Sequence, residues 1–112
     1  MLVEEGLRIA SGRYEQALAQ LAQARRDYAA LTEKHPVWVT PSALGPAPKG
    51  LASTGDPCAN APFTALGVPA ISLPFGRASS GLPLGLQLAA ARGRESALLA
   101  TALECEKSLD RR

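Results

Sequence analysis

Apolar residues recur at spacings of three and four from Tyr14 through Ala17, Leu18, Leu21, Ala24 and Tyr28 to Leu31, the period of a helix that presents one stripe to a core. The spacing predicts a helix over residues 12–34. Ser11 stands where an N-cap belongs. The helix must stop near Lys34, because His35 precedes Pro36 and the residue before a proline is pushed out of the α region. Val37-Trp38-Val39-Thr40 follows as a brief extended run, a strand over 37–40. Further on, Ile71 and Leu73 share one side, and Leu84, Leu86 and Leu88 alternate with Gly85 and Gln87. That period of two predicts strands over 70–74 and 84–89, each with one bulky and one small or polar side. The intervening PFGRASSGLP is long for a hairpin connection but compatible with antiparallel pairing. A final helix is expected over 94–109, with Leu98, Ala102, Cys105 and Leu109 as its buried stripe. Glu95 lies in its first turn and Lys107, Arg111 and Arg112 at its end, as the helix dipole prefers.

All nine prolines fall between Pro36 and Pro83, together with six of the ten glycines, which forbids a long helix in the middle of the chain. Residues 41–57, PSALGPAPKGLASTGDP, form an irregular crossing. Residues 59–66 suit a short helix with Pro62 in its first turn and Gly67 at its C-cap. The charges divide the chain in the same way. Residues 1–35 hold five acids and five bases and residues 93–112 four of each, while only Lys49, Asp56, Arg77 and Arg92 lie between. Both ends therefore read as solvated helices.

Over the 112 residues, 20% are charged and 46% hydrophobic, with a net charge of +2. That balance argues against both a disordered tail and a polybasic nucleic-acid binder. Apolar runs stop well short of the roughly 18 residues a membrane span needs, and the N-terminus opens with acid where a secretory signal wants base. The expectation is a cytoplasmic protein with neither a nucleic-acid nor a membrane partner. Cys58 and Cys105 are far apart, and His35 is the only histidine. No zinc site or disulfide framework is specified, and both read as free thiols. Cys58 precedes a helix N-terminus, a setting that lowers a thiol pKa.

The middle of the chain carries a specific pattern: Thr54-Gly55-Asp56-Pro57, Asn60-Ala61-Pro62-Phe63-Thr64, Ala65-Leu66-Gly67-Val68-Pro69-Ala70-Ile71-Ser72-Leu73-Pro74, Gly76, and Gly81-Leu82-Pro83-Leu84-Gly85-Leu86-Gln87-Leu88. It resembles the C-terminal segment of the amidase signature family. The flanks agree, with Arg8-Ile9-Ala10-Ser11 resembling the family's helix entry and Val39-Thr40-Pro41-Ser42 its buried strand leading into a Thr-Pro turn. The chain departs from the pattern at His35-Pro36, where members commonly have an acid, and at Cys58-Ala59, where an aromatic commonly precedes the Asn.

The resemblance implies an α/β fold: the C-terminal portion of the amidase-signature fold, in the order helix-strand-short helix-strand-strand-helix, part of a mixed sheet flanked by helices. Residues 1–112 would be a single partial domain. It also implies that the family's nucleophilic serine, bridging serine and activating lysine lie upstream of the matched part. The chain is then a fragment or split piece of an amidase, contributing no catalytic residue and needing no cofactor or metal. Its expected partner is the N-terminal part of an amidase, or a second copy of itself, and a small amide is bound only in the complete enzyme. The alternative is a non-catalytic oligomerising or binding module, or a degenerate fragment.

Asp56 and Asn60 are the candidate substrate-binding residues, since their segment borders the family's pocket. As local structure they read as a turn initiator and a helix cap. Ser79-Ser80-Gly81 imitates a nucleophile motif, but its register assigns it to the strand connection. Lys49, in the Pro/Gly-rich crossing, reads as a solvated charge. His35 reads as a helix-terminal residue meeting the last carbonyls. Gln87 reads as a structural amide that must be hydrogen-bonded if buried.

Overall fold

The computed structural model describes residues 2–109; the expected terminal bases Arg111 and Arg112 lie outside the described residues. Two helices open the chain, α1 (Leu2–Leu7) and α2 (Ser11–Lys34). The sequence pattern did not predict α1, which carries Glu4 and Glu5 in its first turn. Extended backbone at Ala10 (φ −61°, ψ 138°) separates the two, so Ala10 is the N-cap of α2 and no side chain caps it. Ser11 is therefore the first helical residue, not the cap. At the other end His35 closes the helix through its backbone, its N–H donating to Leu31 O at 3.0 Å. Its ring meets Trp38 edge-on, with centroids 6.5 Å apart.

Three strands follow, β1 (Val37–Pro41), β2 (Ala70–Arg77) and β3 (Pro83–Ala90). They form one sheet in the order β1-β3-β2, every pairing antiparallel. β2 outruns the expected strand because pairing resumes after a bulge between Pro74 and Arg77, where Arg77 meets Pro83. Ser79-Ser80-Gly81 is the hairpin turn: Ala78 N–H donates to Leu82 O, Gly81 N–H to Ala78 O, and Gly81 takes φ 82°.

Both outer strands carry a proline that costs no ladder bond. The Ser42 N–H donates inward to Gly85 O at 2.9 Å and the Ala90 N–H to Pro69 O at 3.2 Å. Alternation then turns the nitrogens of Pro41 and Pro74 toward the two free edges. Between β1 and β2 lie the crossing, a 3-10 turn (Pro57–Ala59) and α3 (Ala61–Leu66). The C-cap Gly67 adopts the left-handed conformation the sequence anticipated, φ 70°.

The last helix, α4 (Glu95–Leu109), covers one sheet face. Its Leu98 and Ala102 join Leu73, Leu88 and Ala90 in the core, with Val37, Ile71, Cys105 and Leu109 packed around them. This is the stripe read from its period. On the other face Tyr28 of α2 packs on Trp38 and Phe63, with ring centroids 6.2 and 6.4 Å away. The Tyr28 hydroxyl donates to Ala90 O at 3.3 Å, and burial raises its pKa. Arg25 donates to Ala65 O, holding α3 to α2.

Much of the expected α2 stripe faces no core. Residues 11–20 are all exposed, and Tyr14 (60%), Leu18 (47%) and Leu31 stand open to solvent. The whole is a slab of 52 × 41 × 17 Å with a radius of gyration of 17.1 Å, against about 13 Å for a compact domain of this length. It exposes 8719 Å², where a closed domain of 11.7 kDa would expose roughly 5,900 Å². No described helix is long and apolar enough to cross a membrane.

Candidate functional site

Alternation along the three strands sets Thr40, Gln87 and Ser72 side by side on the sheet face away from α4, through the pairs Thr40–Gln87 and Ser72–Gln87. Gln87 is buried, and its amide nitrogen donates to Thr40 Oγ1 and to Ala59 O, both at 3.0 Å. It fastens the 3-10 turn to the sheet, the structural role expected of a buried amide.

The next row is occupied differently. Ser42 follows β1 opposite Gly85, and Ser72, one pair along β2 opposite Gln87, leans diagonally toward that same Gly85. Their hydroxyl oxygens meet across that glycine at 2.6 Å. A Cβ on residue 85 would lie 2.6 Å from Ser42 Oγ and 2.8 Å from Ser72 Oγ, so the pair occupies the space a side chain would fill. Gly85 has no positive φ; its missing side chain serves space, not backbone conformation. Sequence reasoning did not single out this pair.

The two serines and Gly85 line an open groove of about 600 Å³, whose other walls include Asp56, Leu84 and the 43–48 part of the crossing. An adjoining groove of about 520 Å³ shares Leu44, Leu84 and Gly85, and adds Val39, Phe75 and Leu86 as an apolar lining.

Asp56 precedes the 3-10 turn in extended backbone, and its Oδ1 accepts from the Cys58 N–H at 2.9 Å. Asn60 lies at the N-cap of α3 but makes no side-chain cap bond; its carbonyl accepts from Thr64 N–H. Asp56 lines the serine groove, whereas Asn60 lines neither groove. The Cys58 thiol is pushed up by desolvation and by the Asp56 carboxylate beside it, reversing the lowering expected from a helix N-terminus. Cys58 and Cys105 are free thiols. Among the described residues no three His, Cys, Asp or Glu side chains gather into a metal-binding group.

The Amidase family model matches residues 3–99. The chain belongs to the amidase family. A 48-residue stretch is 52% identical to the 6-aminohexanoate-cyclic-dimer hydrolase of Pseudomonas sp. (strain NK87), covering 43% of this chain and 10% of that protein. Over 104 residues the chain is 36% identical to a glutamyl-tRNA(Gln) amidotransferase subunit from Synechococcus sp. (strain CC9902), covering 87% of this chain and 21% of that one. Its counterpart from Moorella thermoacetica is also 36% identical with the same coverage. The chain thus spans about a tenth to a fifth of the length of the curated relatives it matches. Within this amidase segment Ser79 and Ser80 are exposed turn residues and Lys49 is exposed in the crossing.

Proposed function

We propose that the chain is the closing section of an amidase that hydrolyses linear carbon–nitrogen amide bonds, and that it has no turnover by itself. The observation that carries this reading is the unfilled architecture. An apolar stripe on α2 faces solvent, both sheet edges lack a further strand among the described residues, and the exposed surface exceeds that of a closed domain by nearly half. Trp38 adds a buried indole N–H with no partner among the described residues, a group that costs about 1–3 kcal/mol until an acceptor reaches it. Matches covering most of this chain but a small part of each relative point the same way.

The preceding amidase residues would cover these surfaces and extend the antiparallel strands into a larger mixed sheet. They would also bring the serine nucleophile and its lysine base; acyl transfer needs such groups within hydrogen-bonding distance. Asp56 and Asn60 are this segment's candidate contacts to a small amide. The interface would resemble an interior, as obligate interfaces do.

Ammonia release from a panel of carboxamides tests the reading. None is expected from the chain alone, and turnover is expected after co-expression with the preceding segment of an amidase relative. A complex that forms without turnover would favour a binding or oligomerising module. Turnover by the chain alone would overturn the proposal.

A further inference from the structure

We propose that the outer edge of β2 and the flank of α4 above it form one face that docks a second copy of this chain, the two β2 strands pairing antiparallel about a two-fold axis. The inference stands apart from the amidase reading. β2 ends the sheet order β1-β3-β2, and a strand in that position presents its N–H and C=O groups to any strand that can lie beside it. Parity fixes which groups those are. The Ala90 N–H donates to Pro69 O at 3.2 Å, so Pro69 faces β3, and the backbone groups of Ala70, Ser72 and Pro74 turn outward. An axis through Ser72 lets it exchange two N–H···O bonds with the partner's Ser72, while each Ala70 N–H meets the partner's Pro74 carbonyl. Pro74 forfeits only the bond its own nitrogen would have donated, and the bulge beyond it ends the run.

α4 supplies the apolar part of the same face. It packs chiefly on β2 and β3. Thr101, Glu104 and Ser108 line a groove with Leu86 of β3, so that flank looks toward the middle of the sheet. The helical period sets Leu99 and Leu103 on the opposite flank, above the edge of β2, and there they are 53% and 57% exposed. Leu98 and Ala102 share the core with Leu73, and Ile71 packs against that cluster. These two β2 residues bracket Ser72, so an axis through Ser72 passes beside the turn that carries Leu99 and Leu103.

The spacing agrees. Adjacent strands lie about 4.8 Å apart. With α4 riding between β2 and β3, two copies joined at β2 hold their α4 axes about two strand spacings apart, within the range of about 8–10 Å at which helices pack. Leucines of one copy then meet leucines of the other, and the strand edge repeats its own donors and acceptors, the self-complementarity that a two-fold contact requires. Area suffices as well. The chain exposes 8719 Å², roughly 2,800 Å² more than a closed domain of its mass, and a stable interface takes about 800 Å² from each partner. The α2 stripe and the β1 edge are left for the preceding amidase segment.

Light scattering on the purified chain tests the face. The expected mass is twice the 11.7 kDa of one chain, with no larger species, because a two-fold contact closes on itself. Leu99→Lys combined with Leu103→Lys alters only exposed positions, so circular dichroism should be unchanged while the mass halves. Leu44→Lys, at a more exposed leucine of the crossing (73%), should leave the dimer intact. Amide exchange reads the strand edge directly. Relative to Leu73, which faces β3, the Ala70 and Ser72 amides should exchange about tenfold faster in the double variant than in the wild type. Diluting the wild type should release the same two amides, a readout that needs no variant. A monomer, an open series of larger assemblies, a dimer that survives the double substitution, or Ala70 and Ser72 amides indifferent to dilution would overturn the proposal. Co-expression with the preceding amidase segment separates the two readings. A complex with two copies of each chain supports the face; one copy of each, with Ala70 and Ser72 still protected, gives the edge to that segment and overturns it. Absence of amide turnover bears on the amidase reading alone.

Discussion

Among the glycines, Gly85 is the one that leaves no room for a side chain. Gly85→Ala sets a methyl 2.6 Å from Ser42 Oγ and 2.8 Å from Ser42 Cβ, an overpacking that should cost about 1–3 kcal/mol. Urea unfolding checks it, and an unchanged midpoint would show that the hydroxyl pair yields freely. Gln87→Leu removes both bonds to Thr40 and Ala59 and should destabilise by about 1–3 kcal/mol. At Cys58 the sign follows from the raised pKa: less thiolate is present at a given pH, so alkylation at mildly alkaline pH should run slower than that of a free cysteine. Asp56→Asn removes the neighbouring negative charge and should speed it, which a timed mass-spectrometric assay reads directly. Gln87's role was legible in the alternation of β3. The Ser42–Ser72 pair was not, because it depends on a register spanning residues 30 apart; the available signal was a lone glycine among the leucines of β3.

Among the elements, α2 and α4 make a controlled contrast. Leu98 of α4 is buried in the core, so Leu98→Ala should cost about 2–5 kcal/mol in thermal or urea unfolding. Leu18 belongs to the same kind of stripe on α2 but is half exposed. Leu18→Gln should change the stability of the chain by no more than about 0.5 kcal/mol, yet weaken its association with the preceding amidase segment. Periodicity located both helices and the strands, and proline placement confined the middle to short pieces. It did not tell which stripe is covered. A spacing of three and four says that one face is apolar, and only the packing shows that α4 meets a sheet while the first half of α2 stays exposed among the described residues. The missed α1 and the misplaced cap share a local cause, an extended Ala10 whose conformation no side chain announces.

At the scale of the whole molecule, the fold class was legible; the sheet order β1-β3-β2 was not, since the hairpin leaves β1 free to pair with either of its strands. The thinness of the slab was not, since composition and length describe a chain able to close a modest core. A single helix over three strands supplies a small core, and folding alone must be marginal by the surface it leaves exposed. On the proposed reading, that same surface becomes interior in the complete amidase. The decisive measurement is light scattering on the chain with and without a co-expressed preceding amidase segment, each peak assayed for carboxamide hydrolysis. A one-to-one complex that hydrolyses amides, beside a lone chain that does not, is the expected result; a lone monomer that turns over a carboxamide would contradict it.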